Sequence, residues 1–279
     1  ETTVYGVIAD PIGHSLRPQI HNAALEEAGI GAVYVPLRVP ADSLGDFMAN
    51  MQRLGVEGLS VTIPHKETIT KHLTKATQDA NGIKAVNTVV RRDDDLVGCN
   101  TDCGAAMDSL EHVLGEVGAA PSPLAAKRVL LLGSGGVARA IAFGLRKRGA
   151  KITIAGRTRD RAERLAKEFD GRAIDWPARH NSPCDVLINC SPIGMHPNVD
   201  HTPYTKTHLK PSVVVFDTVY NPESTLLIKE AREQGCTVIT GVDMFVRQAA
   251  LQFLLFTEKE PPTELMRETL KRAIGPVRY

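Results

Sequence analysis

The segment Val129-Leu-Leu-Leu-Gly133-Ser134-Gly135-Gly136-Val137-Ala138 holds the most legible chemistry in the chain. An apolar strand runs into G-x-G-x-x-A and then into a helix. Gly133 permits a tight turn, Gly135 lets the backbone approach a pyrophosphate, and the small Ala138 allows close helix–strand packing. The free N–H groups at the helix start favour phosphate. With a strand before it and a helix after it, the motif points to a bound dinucleotide. About twenty residues on, an NAD site ends its second strand in Asp or Glu, which accepts from the ribose 2′-hydroxyl. Here that strand ends Ile154-Ala-Gly156-Arg157-Thr158-Arg159-Asp160-Arg161. Arginine forks suit a 2′-phosphate, and cations at a helix start oppose its dipole unless an anion sits there. The expected cofactor is NADP.

A second set of polar residues lies upstream. Ser60-Val-Thr62-Ile-Pro-His65-Lys66 ends a strand and places a Thr, a His and a Lys where the ligand crevice of an α/β sheet lies. Asn87-Thr88 falls in another strand, and Gly98-Cys-Asn100-Thr101-Asp102 opens a helix. Taken singly, these residues are ordinary. Asp102 reads as a helix N-cap, Lys66 as a surface lysine, and His14 and His65 as structural or loop residues.

The elements that must position these groups alternate. Strands are expected at Val4–Ala9, Val33–Val39 and Gly58–Ile63. A helix over Leu16–Ala28 puts Ile20, Ala23, Ala24 and Leu25 on one face, and Asp42 caps another with the stripe Leu44, Phe47, Met48, Met51. Val86–Val90 and Leu96–Cys99 form a hairpin around the polar run Arg91–Asp95. A helix from Asp102 to Glu116 leads to a surface loop, Gly118–Ala126. Further strands are expected at Arg128–Leu132, Lys151–Ala155, Val186–Asn189, Val213–Phe216 and Thr237–Ile239. Helices fall near Val137–Arg148, Arg159–Phe169 and Glu223–Gln234, and Met244–Phe256 and Thr263–Ile274 close the chain. Such alternation implies an α/β protein with mainly parallel sheets.

Composition bounds the function. The 279 residues suit one large or two modest domains. With 33 Lys+Arg against 32 Asp+Glu the net charge is +1, which argues against nucleic acid or a polybasic membrane anchor. No apolar run approaches membrane-span length, no secretory signal is seen in the sequence given, and a cytoplasmic location is expected. Five cysteines (Cys99, Cys103, Cys184, Cys190, Cys236) without C-x-x-C or zinc spacing read as reduced thiols, and no metal is expected.

Together the motifs resemble the shikimate dehydrogenase family. They are Pro11-Ile-Gly-His14-Ser15 with Pro18 and His21-Asn22, Val61-Thr62-Ile-Pro-His-Lys66, Ala85-Val-Asn87-Thr88 and Asn100-Thr-Asp102. They continue as Gly133-Ser-Gly-Gly-Val-Ala138, Gly156-Arg157-Thr158, Asn189-Cys-Ser-Pro-Ile-Gly-Met195, Asp217-Thr-Val-Tyr220-Asn-Pro222, and Gly241-Val-Asp-Met244 with Gln248. The resemblance implies reversible NADPH-dependent reduction of 3-dehydroshikimate to shikimate. It also implies a substrate-binding α/β domain, residues 1–102 completed by helices from 243–279, and a Rossmann-type NADP domain, 103–242, with a deep cleft between them.

By the same resemblance Lys66 and Asp102 are the catalytic pair. A ketone receiving hydride builds negative charge on oxygen, which an ammonium held by a carboxylate relieves. Thr62, Asn87 and Gln248 are expected to touch substrate hydroxyls, and Ser15 and Tyr220 its carboxylate. Gly133, Ser134, Gly135, Gly136, Val137, Ala138 and Gly241 are expected to hold the cofactor, with Arg157, Thr158 and Arg161 at its 2′-phosphate. The family usually has Ser-x-Ser-Pro where this chain has Ser15-Leu-Arg17-Pro18, so Arg17 either pairs with the substrate carboxylate or turns to solvent. Gly156 stands where the family often has Asn.

Two other readings stay open: a quinate/shikimate dehydrogenase of broader specificity, and a non-catalytic NADP-binding regulatory module. Methylenetetrahydrofolate dehydrogenases share the architecture, but no Tyr here has Lys four residues on. Family members also occur fused to a 3-dehydroquinate dehydratase, a possible covalent partner of this chain.

Overall fold

The structure is a computed structural model that describes residues 2–13 and 15–274. Its chain divides into two compact units. The first takes the chain up to Thr101 and again from Val246, and the second runs from Asp102 to Phe245.

In the first unit the order is β1 (Thr3–Ala9), α1 (Arg17–Glu27), β2 (Ala32–Arg38), α2 (Leu44–Asn50), β3 (Val56–Val61), β4 (Lys75–Ala76), α3 (Gln78–Ile83), β5 (Thr88–Arg92) and β6 (Asp95–Cys99). The sheet runs β2-β1-β3-β5-β6-β4. Strand β1 is parallel to β2 and β3, whereas β5 is antiparallel to both β3 and β6. Strand β4 is parallel to β6, so the sheet is mainly parallel as expected; β5 alone runs against its neighbours, because a tight turn can join only antiparallel strands. That turn is shorter than expected. Arg91 pairs with Leu96 and Arg92 with Asp95, leaving Asp93-Asp94 as the loop, with Asp93 at φ 54, a conformation that Asp tolerates.

Helix α1 buries Arg17, Ile20, His21, Ala24 and Leu25. The expected apolar face thus exchanges Ala23, which is half-buried, for two polar residues. Asp42 does not cap α2: a 3-10 turn, Ala41–Ser43, precedes that helix, and the Asp42 carboxylate accepts from the Ser43 hydroxyl at 3.1 Å. Strand β4 and helix α3 are additions. The latter is too short for an apolar period and is set by its Thr77 cap, which accepts from the Ala80 amide at 3.3 Å. Ile8, Leu59, Val61, Ile69, Val86 and Val89 anchor the core.

The second unit contains α4 (Thr101–Leu114, from its second residue), β7 (Arg128–Leu132), α5 (Gly136–Lys147), β8 (Lys151–Ala155), α6 (Arg159–Glu168), β9 (Arg172–Ile174), β10 (Val186–Asn189), β11 (Val214–Asp217), α7 (Leu226–Glu233) and β12 (Thr237–Ile239). Helices α8 (Gly241–Thr257) and α9 (Thr263–Ile274) follow, and the division falls within α8. Every recorded pairing in the second sheet is parallel, in the order β12-β11-β10-β7-β8-β9. Read from β9, the strands are third, second, first, fourth, fifth and sixth of the unit. This is the dinucleotide-binding order, with its switch point between β7 and β10.

Several boundaries move. Strand β9 was not expected; three residues opening on an arginine carry no readable period. Strand β11 lies one residue later, which puts Asp217 inside it. Helix α7 begins at Leu226, where the Thr225 hydroxyl accepts from the Ile228 amide at 3.2 Å, rather than at Glu223. Because α4 begins at Thr101, Asp102 sits within the first turn and is not its N-cap. In that position a carboxylate still favours the helix dipole. None of the five cysteines forms a disulfide. Among the described residues no helix is long and apolar enough to cross a membrane, and no group of His, Cys, Asp and Glu could hold a metal ion.

Candidate active site

The first unit gathers Ser15, Arg17, Thr62, Lys66, Asn87 and Gln248; Asp102, Tyr220, Gly241 and the nucleotide residues belong to the second. His14 lies outside the described residues.

The Lys66 segment leaves β3 pinned at both ends. The Val61 amide donates to the Asn87 carbonyl at 2.7 Å and the Thr62 amide to the Ile8 carbonyl at 3.2 Å. The Val86 amide donates to the Lys66 carbonyl at 2.8 Å. His65 serves as a post: its ring is fully buried and Nε2 donates to the Val39 carbonyl at 2.7 Å. Lys66 is only 8% exposed, rare for a lysine.

Asn87 is locked by its neighbours. Its Oδ1 accepts from the Thr101 amide and from the Thr88 hydroxyl, both at 2.8 Å. Its Nδ2 donates one hydrogen to Thr101 Oγ1 at 2.8 Å, leaving a second amide hydrogen for a ligand. Thr101 Oγ1 in turn donates to the Gln248 carbonyl at 3.1 Å. Sequence reasoning missed the residue that completes this network. Gln252 accepts from the Ser60 hydroxyl at 2.8 Å and donates to Thr88 Oγ1 at 2.9 Å and the Asn87 carbonyl at 3.0 Å. Its position four residues after Gln248, on the same face of α8, was the available signal.

At the start of α1, Ser15 Oγ is buried with no hydrogen-bond partner among the described residues, and α1 has no side-chain cap and no acidic residue in its first turn. Arg17 is buried there, so it does not turn to solvent. His21 stacks on Tyr34, ring centroids 4.4 Å apart. Burial, aided by the Arg17 charge, pushes His21 down to about 3, keeping it neutral. Burial pushes the Tyr34 phenol up, against the pull of the same arginine. A guanidinium, an unsatisfied hydroxyl and uncapped amides suit an anion.

In the second unit the turn after β7 has the predicted geometry. Gly133 has φ +118, and a Cβ there would lie 3.0 Å from the Cys190 carbonyl oxygen; at Gly135 a Cβ would meet nothing within 4 Å. One glycine is needed for its conformation and packing, and the other leaves the backbone open to a ligand. Ala138 is fully buried. The three arginines after β8 have separate fates. Arg159 is committed to Glu163 at 2.5 Å and Asp175 at 2.6 Å. Arg157 is exposed and pairs with no acidic side chain among the described residues, Thr158 starts α6 without spending its hydroxyl on a cap, and Arg161 is exposed. An open glycine turn with an unspent arginine and hydroxyl beside it fits a dinucleotide carrying a 2′-phosphate. Gly156 sits close by: a Cβ there would be 3.4 Å from Ser134 Oγ.

Tyr220 is half-buried, its ring 4.1 Å from that of Phe245. Gly241 is the tightest position recorded: a Cβ there would lie 2.1 Å from the Val219 carbonyl oxygen. Asp102 is buried.

Comparison with known proteins accords with this arrangement. Residues 7–89 match the shikimate dehydrogenase substrate-binding domain, 117–191 the shikimate/quinate 5-dehydrogenase model and 241–271 the shikimate 5′-dehydrogenase C-terminal domain. The chain is 39% identical to the shikimate dehydrogenase (NADP+) of Bacillus mycoides, over 98% of this chain and 99% of that protein. It is 41% identical to the chloroplastic bifunctional 3-dehydroquinate dehydratase/shikimate dehydrogenase of Arabidopsis thaliana, over 95% of this chain and 45% of that protein. A crystal structure of a shikimate dehydrogenase in complex with NADP+ superposes with a TM-score of 0.91 at 36% identity, covering 99% of this chain and 96% of that one.

Proposed function

Because the chain belongs to the shikimate dehydrogenase family and is an NADP-dependent enzyme of that family, we propose that it catalyses the reversible reduction of 3-dehydroshikimate to shikimate. Lys66 Nζ donates the proton to the carbonyl oxygen as that atom gains negative charge, and Asp102 is the carboxylate of the pair. Thr62, Asn87 and Gln248 orient the substrate hydroxyls. Ser15, Arg17 and Tyr220 take its carboxylate, with Arg17 replacing a neutral hydroxyl by a charged fork. Residues 133–138 and Gly241 hold the cofactor, and Arg157, Thr158 and Arg161 its 2′-phosphate. Bound NADPH supplies the hydride.

The observation that carries this reading is Lys66 itself. A lysine buried to 8% exposure, on a segment hydrogen-bonded into the sheet before and after it, is held for a task rather than solvated. The Asn87 amide hydrogen left over at the end of the neighbouring network supports a hydroxyl-bearing substrate.

The test follows nicotinamide absorbance with shikimate or quinate, each with NADP or NAD. Turnover is expected with shikimate and NADP. Lys66→Met is expected to lower kcat by about 10²–10⁴-fold while NADPH binding, read by fluorescence, is unchanged. Comparable rates with quinate would broaden the substrate range, and silence in all four mixtures would overturn the proposal.

A further inference from the structure

We infer that Asp217, at the inner end of β11, is a positioning residue that sets both the loop packed on the nucleotide turn and the segment carrying Tyr220. The inference rests on the functional reading above for what those two segments bind.

Asp217 is fully buried, and among the described residues no cation pairs with it. Three donors from separate places converge on it instead. Oδ1 accepts from Asn189 Nδ2 and from the Val219 amide, both at 3.0 Å. Oδ2 accepts from the Thr225 hydroxyl at 2.7 Å. A carboxylate in such a place is costly unless its acceptors are filled, and only an acceptor-only group takes all three donors at once.

Each donor leads to a working segment. Asn189 Oδ1 accepts from the Ser191 amide at 3.0 Å and its hydroxyl at 2.7 Å, and Nδ2 also donates to the Ile193 carbonyl at 3.1 Å. Asn189 thereby shapes residues 190–193, and the Cys190 carbonyl is what closes on Gly133. The Val219 amide fixes the residue before Tyr220, and the Val219 carbonyl is what closes on Gly241. Tyr220 then packs on Phe245, one turn further along α8. Thr225 passes the constraint to the first turn of α7. One carboxylate thus holds the exits of two adjacent strands, β10 and β11, in register with the glycines they cover.

Burial pushes the Asp217 carboxyl up to about 6, against the three hydrogen bonds. The titratable neighbour that responds to its charge is Cys190, whose thiol is pushed up by burial and by that charge and stays protonated near neutrality.

The experiment compares the parent with Asp217→Asn, Thr225→Val and Thr225→Ser. NADPH affinity is read by fluorescence titration, and KM and kcat are read for each substrate. Asp217→Asn is expected to weaken NADPH binding and raise the substrate KM, each by about tenfold. Thr225→Val is expected to reproduce part of the loss and Thr225→Ser to restore it. NADPH affinity and substrate KM both within about twofold of the parent would overturn the inference. So would a drop in melting temperature with binding unmoved. Because the NADPH titration needs no turnover, failure of the substrate assignment and failure of this inference are told apart. If Asp217→Asn does not fold, the Val/Ser pair at 225 decides alone: equal NADPH affinities would overturn the inference.

Discussion

The two units hold their polar atoms in opposite ways. In the first, neutral amides and hydroxyls from β3, β5, α4, α8 and the residue before β5 hold one another: Ser60, Gln252, Thr88, Asn87, Thr101 and the Gln248 carbonyl. In the second, backbone is pressed against backbone at Gly133 and Gly241, and a single carboxylate gathers the loose ends. A side-chain network can absorb a small shift but leaves an orphaned group whenever one member is removed. Backbone packing tolerates no added atom, yet is indifferent to which side chains stand nearby.

The largest effect should come from adding one methyl group to the second unit. Gly241→Ala is expected to cost at least ~4 kcal/mol, since the clash is with a carbonyl that cannot rotate away; denaturant unfolding measures it. A loss below about 1 kcal/mol would mean that the backbone contact is soft and would break the contrast. Removing a member of the first unit's network should cost less. Gln252→Leu keeps the volume but strands the Ser60 hydroxyl and removes the donors to Thr88 Oγ1 and the Asn87 carbonyl, for an expected ~2–3 kcal/mol, with the substrate KM raised because Asn87 loses part of its support.

The smallest effect is in pH, and it has opposite signs in the two units. His21 is neutral in the fold, pushed down to about 3 by burial. Its contribution is present above its ordinary pKa near 6.5 and is lost as pH falls toward 3. Asp217 is pushed up to about 6, so its contribution is present below its ordinary carboxylate pKa and is lost as pH rises through about 6. Between pH 5 and 6, the stability advantage of the parent over His21→Phe should grow by about 1 kcal/mol, and its advantage over Asp217→Asn should shrink by about as much. Slopes of one sign would erase the distinction.

The same contrast explains what was legible in the sequence. The nucleotide turn depends on contiguous residues, so the glycine spacing announced both the positive φ of Gly133 and the open backbone at Gly135. Alternation announced the strands of the second unit, except for β9, too short to carry a period, but not the order in which they pair. The network of the first unit was invisible because its members are far apart in the chain; Ser60 and Gln252 are separated by 192 positions. Arg17 and His21 were left out of the buried stripe of α1 because periodicity was read from apolar residues only, and polar residues buried for a site break that pattern. The Asp42 cap failed for a local reason, a neighbouring hydroxyl that took the carboxylate first.

The cysteines have a practical consequence. Thiolates, not thiols, react with alkylating agents and disulfides. Burial pushes Cys99, Cys190 and Cys236 up and Cys184 up to about 11, and Cys103, on α4, lies 5% exposed against Gly144. Cys99, Cys103 and Cys236 are buried, whereas Cys184 and Cys190 are half-buried, so a maleimide meets two native cysteines within partial reach and three shielded until the fold opens. A thiol introduced on the surface, for example at Leu54, which is 56% exposed, would carry a spectroscopic label cleanly once Cys184 and Cys190 are replaced, and labelling at the three buried cysteines would report unfolding rather than catalysis.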